Sequence, residues 1–322
     1  MKSAVLYNNK LHIETCNKPK VDNYRNCLVK ILYCGICGSD ISKYSGHKEC
    51  YKNLVMGHEA CGYVIDGPTH MINKLVSIIP MWYCNNCTSC KSGQYQLCKN
   101  HLFIGSSIDG AFQEYITVPE SYLFEIPLLE SNNILGTLIE PTAVAVHAVD
   151  VLFNKNLSNS NIAIIGNGTI GSLIYITLKN YLNISEEQIY VLGKNDEKTD
   201  IEFDYCFECS GTVSGINKAI NLTKYRGTII QVGIIYNKQF NNNQFYFDKL
   251  LRKEQILIGS WNSDFHEDWK IAYDLLSQYP DEYESIISKI FNLDNCNDAF
   301  EYKLNNHTNK IIIKIQEDKN VI

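Results

Sequence analysis

The chain has 322 residues, 45% of them hydrophobic, and a formal net charge of −6. That length suits two modest domains, each with a core of its own. The mild acidity without any basic block argues against nucleic acid or an anionic membrane as partner, and with no run of about 18 apolar residues no transmembrane helix is expected.

The first residues, Met1 to Tyr7, lack the long apolar core and small-residue cleavage site of a signal peptide and read as a first strand. The 13 cysteines are many and odd in number. Without an export signal, and with Cys-x-x-Cys spacing, they point to metal binding in a reducing cytoplasm rather than to disulfides.

Residues 1–33 alternate short apolar runs with turns, which is all-β character. Next come Gly35-Ile36-Cys37-Gly38-Ser39-Asp40 and, about twenty residues on, Gly57-His58-Glu59. A thiolate and an imidazole are thus offered from two glycine-flanked turns. Zinc accepts both, and a catalytic zinc takes three protein ligands and keeps one place open. A buried cysteine with a capping histidine would look the same. A strand over 74–80 ends at Pro80, and Cys84, Cys87, Cys90 and Cys98 then form C-x2-C-x2-C-x7-C. Four thiolates on a short loop satisfy a closed tetrahedral zinc, which also supplies the stability such a loop lacks. A 4Fe–4S cluster competes for the same set. Glu140-Pro141 opens a helix over Thr142 to Phe153. Proline suits a first helical turn, and an anion there is favoured by the helix dipole.

From Asn161 the pattern changes to alternating strands and helices. Ile162-Ala163-Ile164-Ile165 is a buried strand, followed at once by Gly166-Asn167-Gly168-Thr169-Ile170-Gly171 and a helix to about Leu182. Placed between strand and helix, G-x-G-x-x-G is the dinucleotide fingerprint. Gly166 makes the turn, Gly168 lets backbone approach pyrophosphate, and Gly171 packs helix on strand, with Thr169 and Ile170 completing the site. The second strand, 188–192, ends in Gly193-Lys194. An NAD site usually has a carboxylate at that tip for the ribose 2′-hydroxyl. Lys194 suits a 2′-phosphate and so favours NADP(H), although Asp196 could turn back to serve NAD. The next strand, Asp204 to Cys209, starts only about ten residues later, and a parallel crossover with its helix needs a dozen or more. The third strand of the usual sheet order, an edge, is therefore expected to be missing. The link from 195 to 203 can still span about 30 Å, and the second strand becomes an edge that must be blunted. A helix over 213–222, strands over 227–233 and 256–261, an amphipathic helix over 265–279 and a last strand over 310–315 complete the reading.

In this order, Gly-Ile-Cys-Gly-Ser-Asp, Gly-His-Glu-x-x-Gly, the four-cysteine lobe, the glycine-rich segment Phe103 to Tyr115 and the fingerprint resemble the zinc-dependent medium-chain alcohol and polyol dehydrogenases. The likeness covers nearly the whole chain. Leu250-Leu251-Arg252-Lys253-Glu254 with Gly259-Ser260-Trp261 resembles the galactitol-1-phosphate branch, and Tyr190 to Lys194 with Phe207-Glu208-Cys209 the ribitol-5-phosphate branch. The resemblance implies a GroES-like β-barrel catalytic domain over 1–145, to which 285–322 return. It also implies a shortened Rossmann doubly wound parallel sheet over 146–284, with the site between the two. It implies two zincs per chain, one catalytic on Cys37, His58 and Glu140, the other structural on Cys84, Cys87, Cys90 and Cys98. The alcohol branch usually has Cys where Glu140 stands. Ser39 matches the hydroxyl that relays the proton outward, or is simply a turn hydroxyl. Glu59 matches the carboxylate beside the ligand histidine. The implied reaction moves a hydride between NADP(H) and a secondary alcohol or ketone of a polyol or polyol phosphate, of the ribitol 5-phosphate or galactitol 1-phosphate type. A cytoplasmic homodimer or homotetramer acting on small molecules is implied, with no nucleic-acid or membrane partner. Lys43, Lys48 and Lys52 are candidate cations for a phosphate. A non-catalytic zinc-binding or cofactor-sensing protein on the same fold is the alternative, motivated by the shortened Rossmann half.

Overall fold

The computed structural model describes residues 1–22, 25–48, 53–194, 196, 201–236 and 245–317. It divides into two compact units, Met1–Glu140 with Asp264–Ile322, and Pro141–Ser263. No described helix is long and apolar enough to cross a membrane.

The first unit is built on the eleven-residue strand Asn26–Ile36. It is apolar on both faces, so both must be covered. Antiparallel partners Glu59–Asp66, Tyr115–Pro119 and Lys310–Lys314 flank it, and Leu75–Ile78, Leu123–Glu125 and Ile287–Asn292 extend the sheet to seven strands. Register shifts between Leu28 and Val29 and between Ile31 and Tyr33 bend the strand, as bulges do. Lys2–Tyr7, Lys10–Thr15 and Leu54–Val55 make a smaller sheet.

Residues 264–284, read from sequence as part of the nucleotide-binding half, lie in this first unit. Phe265 stacks on Tyr83 with centroids 5.9 Å apart. The fully buried Trp269 meets Phe124 at 5.8 Å. The Leu128 amide donates to the Tyr273 hydroxyl at 3.0 Å. An amphipathic helix needs an apolar face to cover, and Glu267–Gln278 finds it here.

The second unit is a five-stranded parallel sheet in the order Ile189–Leu192, Ile162–Ile165, Phe203–Glu208, Thr223–Gln231, Ile256–Gly259. Ile162–Ile165 is buried at every residue, as an inner parallel strand must be. Its neighbour Phe203–Glu208 supplies Phe203 and Cys206, the next strand supplies Ile229, and the helix Val213–Leu222 supplies Ile216, Ala219 and Ile220 to one core. Among the described residues no strand lies beyond Ile189–Leu192, as the short link implies. That edge has only four residues, a poor template for further pairing.

Candidate metal centres and nucleotide site

Strand register assembles the first centre. Gly35 pairs with Glu59, and Ile36 pairs with Ile311. Cys37 leaves the end of one strand, His58 precedes the start of its partner, and Lys310 opens the strand on the other side. The ligand atoms of Cys37, His58 and Glu59 lie within 4.8 Å of one another. Glu140, in the first turn of the helix Ile139–Asp150, is 7% exposed and falls outside that set. It is still close enough to feel the charges of His58, Glu59, Lys310 and Asp40. Burial pushes its carboxyl up to about 7, against the pull of His58.

Asp40 and Lys310 are parts of this centre to which the sequence reading gave no role. Asp40 is fully buried, and its Oδ2 accepts from the Cys37 amide at 3.2 Å. Its Oδ1 lies 3.2 Å from Lys43 Nζ and 3.6 Å from His58 Nδ1. The second distance is beyond hydrogen-bond reach, and Nδ1 has no hydrogen-bond partner although it is buried. Burial opposes ionisation of Asp40, but His58 and Lys43 hold its carboxyl well below the usual range. Burial likewise opposes the imidazolium, and Asp40 and Cys37 outweigh it to raise His58 well above its ordinary value. A half-buried thiol, an orphaned imidazole nitrogen and nearby carboxylates form the donor set that suits zinc. Glu59 pairs with Lys310, both side chains 2% exposed. A Cβ on Gly35 would overlap the Glu59 carboxylate, so only glycine leaves room for the pair.

Lys43 is not free for a ligand. It is 1% exposed and donates to Asp40, to the Gly105 carbonyl and to Ser106 Oγ. Lys48 is exposed and close enough to Lys43, Asp40 and Cys37 to feel their charges. Lys52 lies outside the described residues. Ser39 is half-buried in the first turn of the helix Gly38–Tyr44.

The second centre is the four-cysteine lobe. Sγ separations are 3.5 Å for Cys87–Cys90, 3.8 Å for Cys87–Cys98 and 3.6 Å for Cys98–Cys84. A tetrahedron with Zn–S bonds of about 2.3 Å has edges of about 3.8 Å; these three separations match such edges, and all four sulfurs lie within 4.8 Å of one another. Backbone amides of Asn86 and Cys87 pull the Cys84 thiol down to about 6, which readies it as a thiolate ligand.

In the second unit the fingerprint has the geometry of a phosphate-binding turn. Gly166 has φ +105°, a region that favours glycine. A Cβ on Gly171 would overlap the Gly166 carbonyl, whereas one on Gly168 would meet nothing within 4 Å. Gly168 caps the helix Thr169–Asn180, so Thr169 and Ile170 stand in the first turn, where amides are unpaired and the dipole favours an anion. At the second-strand tip Lys194 is exposed. Asp196 has turned back, and its Oδ2 accepts from the Gly193 amide at 2.6 Å. Lys218 Nζ donates to the carbonyls of Gly193 at 2.9 Å and Asp196 at 3.1 Å, fixing that turn.

Residues 23–128 match the alcohol dehydrogenase GroES-like domain, and residues 179–278 match the zinc-binding dehydrogenase domain. The chain belongs to the zinc-dependent alcohol and polyol dehydrogenase family. Among these dehydrogenases, the galactitol 1-phosphate 5-dehydrogenase of Escherichia coli K12 is 28% identical, over 84% of this chain and 86% of its own length. The D-arabitol-phosphate dehydrogenase of Enterococcus avium is 27% identical over 89% of each chain. The crystal structure of galactitol-1-phosphate dehydrogenase from Escherichia coli superposes with a TM-score of 0.84 at 25% identity, covering 98% of this chain and all of that one. A dehydrogenase of this family is thus a GroES-like unit joined to a parallel nucleotide-binding sheet, as described above.

Proposed function

We propose that this chain oxidises the secondary alcohol of a polyol phosphate, or reduces the matching ketone, using a zinc held by Cys37, His58 and Glu140 and a nicotinamide dinucleotide held at the 166–171 turn. The observation that carries this is the convergence of the Cys37 thiol, the His58 imidazole and the Glu59 carboxylate within 4.8 Å, with the buried Glu140 carboxyl close enough to feel the charges of His58 and Glu59. Zinc there supplies a Lewis acid that lowers the pKa of an alcohol, and the nicotinamide exchanges the hydride. The protein's own part is to hold the ligands and move the proton. Asp40 places a negative charge 3.6 Å from His58 and is itself held by Lys43 and the Cys37 amide. Ser39, at the helix start beside Cys37, passes the substrate proton outward. Glu59, held by Lys310, is the carboxylate beside the ligand histidine.

Two readings of the finer specificity have support in particular residues. The exposed Lys194 favours NADP(H), because an ammonium at the strand tip attracts a 2′-phosphate. The Asp196 carboxylate beside Gly193 favours NAD(H), because it can hold a 2′-hydroxyl and repels that phosphate. Lys48 is our candidate for the substrate phosphate, since Lys43 is buried in its own pairing. The names of the two polyol-phosphate relatives support the same substrate class.

The test is absorbance at 340 nm with ribulose 5-phosphate, tagatose 6-phosphate and their unphosphorylated forms, each with NADPH and with NADH. Turnover of a ketose phosphate at a kcat/KM at least tenfold above its unphosphorylated form supports the proposal. Equal rates on both forms would remove the phosphate from it.

A further inference from the structure

The strand Phe203–Glu208 ends on a carboxylate that neither metal centre nor the fingerprint uses. Glu208 is fully buried. Its Oε1 accepts from the Ser210 amide at 2.9 Å and from Ser210 Oγ. Its Oε2 accepts from the Gly211 amide at 3.1 Å and from Gln231 Nε2 at 2.6 Å. Its own carbonyl accepts from the amides of Val232 at 2.9 Å and Gly233 at 2.8 Å. Among the described residues no cation pairs with it, so four neutral donors replace its water. Three of these are N–H groups that cannot accept a proton, and this fits the anion rather than the acid.

The same carboxylate sits where three glycines leave space. A Cβ on Gly215 would overlap Oε1, and one on Gly233 would come within 2.9 Å of Oε2. A Cβ on Gly166 would stand 2.9 Å from the Ser210 nitrogen, the one held by Glu208. The loop 209–211 is therefore seated against the first glycine of the fingerprint. Cys209 ties it further, its amide donating to the Ile165 carbonyl at 2.8 Å. Gln231 Nε2 also reaches the Gly233 carbonyl at 2.6 Å, which closes the second loop onto the first.

We infer that Glu208 is a positioning residue for the dinucleotide: one buried carboxylate clamps the 209–211 and 231–233 loops together and sets them against the Gly166 turn. In open parallel sheets ligands bind outside the carboxyl ends of the strands, and these loops rim that end. The inference rests on the dinucleotide reading of 166–171. Burial raises the pKa of Glu208, while Ser210, Gln231 and Gly211 pull it back by hydrogen bonds to the anion. Holding a charge there is thus the work of the two loops, and without them it would be lost.

The test uses the zinc-loaded full chain with Glu208→Gln. Glutamine fills the same volume, but wherever its amide nitrogen lies it faces a backbone N–H instead of accepting from it. Amide exchange measured without dinucleotide should quicken at least tenfold over 209–213 and 231–234. The Kd for the preferred reduced dinucleotide, by fluorescence titration, should rise about tenfold. KM for the dinucleotide should rise with it, while kcat at saturating dinucleotide stays within about twofold. If Glu208→Gln does not fold, Gln231→Ala removes one donor and should raise Kd about threefold. An unchanged Kd, with or without faster exchange, overturns the inference, since a space-filling or purely structural role predicts that result. Wild-type protein that binds neither NADH nor NADPH would instead sink the dinucleotide reading itself.

Discussion

Lys310→Met tests the buried pair beside the first centre. Lys310 and Glu59 are each 2% exposed and meet in a direct ion pair. Removing the ammonium takes from a carboxylate held out of water the one ion pair it makes among the described residues. Breaking such a pair from one side costs about 3–5 kcal/mol, whereas replacing both partners with neutral groups is often nearly neutral. Lys310→Met should therefore destabilise the first unit by about 3–5 kcal/mol, and adding Glu59→Gln should recover at least half of that. Urea unfolding followed by tryptophan emission is suited to the measurement. Trp82 and Trp269 lie in the first unit, and Trp269 is fully buried, whereas Trp261 of the other unit is 51% exposed. A single variant within about 1 kcal/mol of wild type, or a double variant no better than the single, would refute the argument that this pair is desolvated and mutually dependent.

Three further outcomes are expected. Cys87→Ser should lower stability and zinc content together while sparing turnover per folded molecule, read by urea unfolding, metal analysis and active-site titration. In zinc-free protein, Glu140 titrates at about 7 instead of its ordinary 4.5. The folded state keeps a proton that the unfolded state has lost, so its contribution is full below 4.5 and declines as pH rises to 7, by roughly 3 kcal/mol. Glu140→Gln should remove that slope in pH-dependent unfolding, and an unaltered slope would assign it to other groups. At the strand tip, Lys194→Ala should weaken NADPH about tenfold or more and leave NADH nearly unchanged. If wild type prefers NADH and Asp196→Ala destroys that preference, the second cofactor reading holds instead.

What could be read from the sequence was local or set by chain length. Cys84 to Cys98 is a ligand set whose spacing leaves few other arrangements, and its sulfurs stand at zinc-like separations. The link after Gly193 is too short for a helical crossover, and the described sheet indeed runs from Ile189–Leu192 directly through Ile162–Ile165 to Phe203–Glu208. Contacts made across long separations left no local trace. Lys310 stands 251 residues from Glu59, and a lysine opening an apolar strand reads as a solvated end. Glu208 stands in the segment Phe207-Glu208-Cys209, and nothing in those residue types foretells four donors around it. The helix Glu267–Gln278 shows an apolar face but not which unit that face covers. The sequence left open whether Asp196 turns back beside Lys194, and its Oδ2 does accept from the Gly193 amide.

The central claim is that Cys37, His58 and Glu140 hold a second zinc on which turnover depends. The direct measurement is zinc per chain by native mass spectrometry, taken with turnover at 340 nm, for wild type and Glu140→Ala. The account predicts two zincs and activity in wild type, and one zinc with turnover abolished in the variant. A variant that keeps both metals and full activity, or an active wild type holding only the four-cysteine zinc, would contradict it.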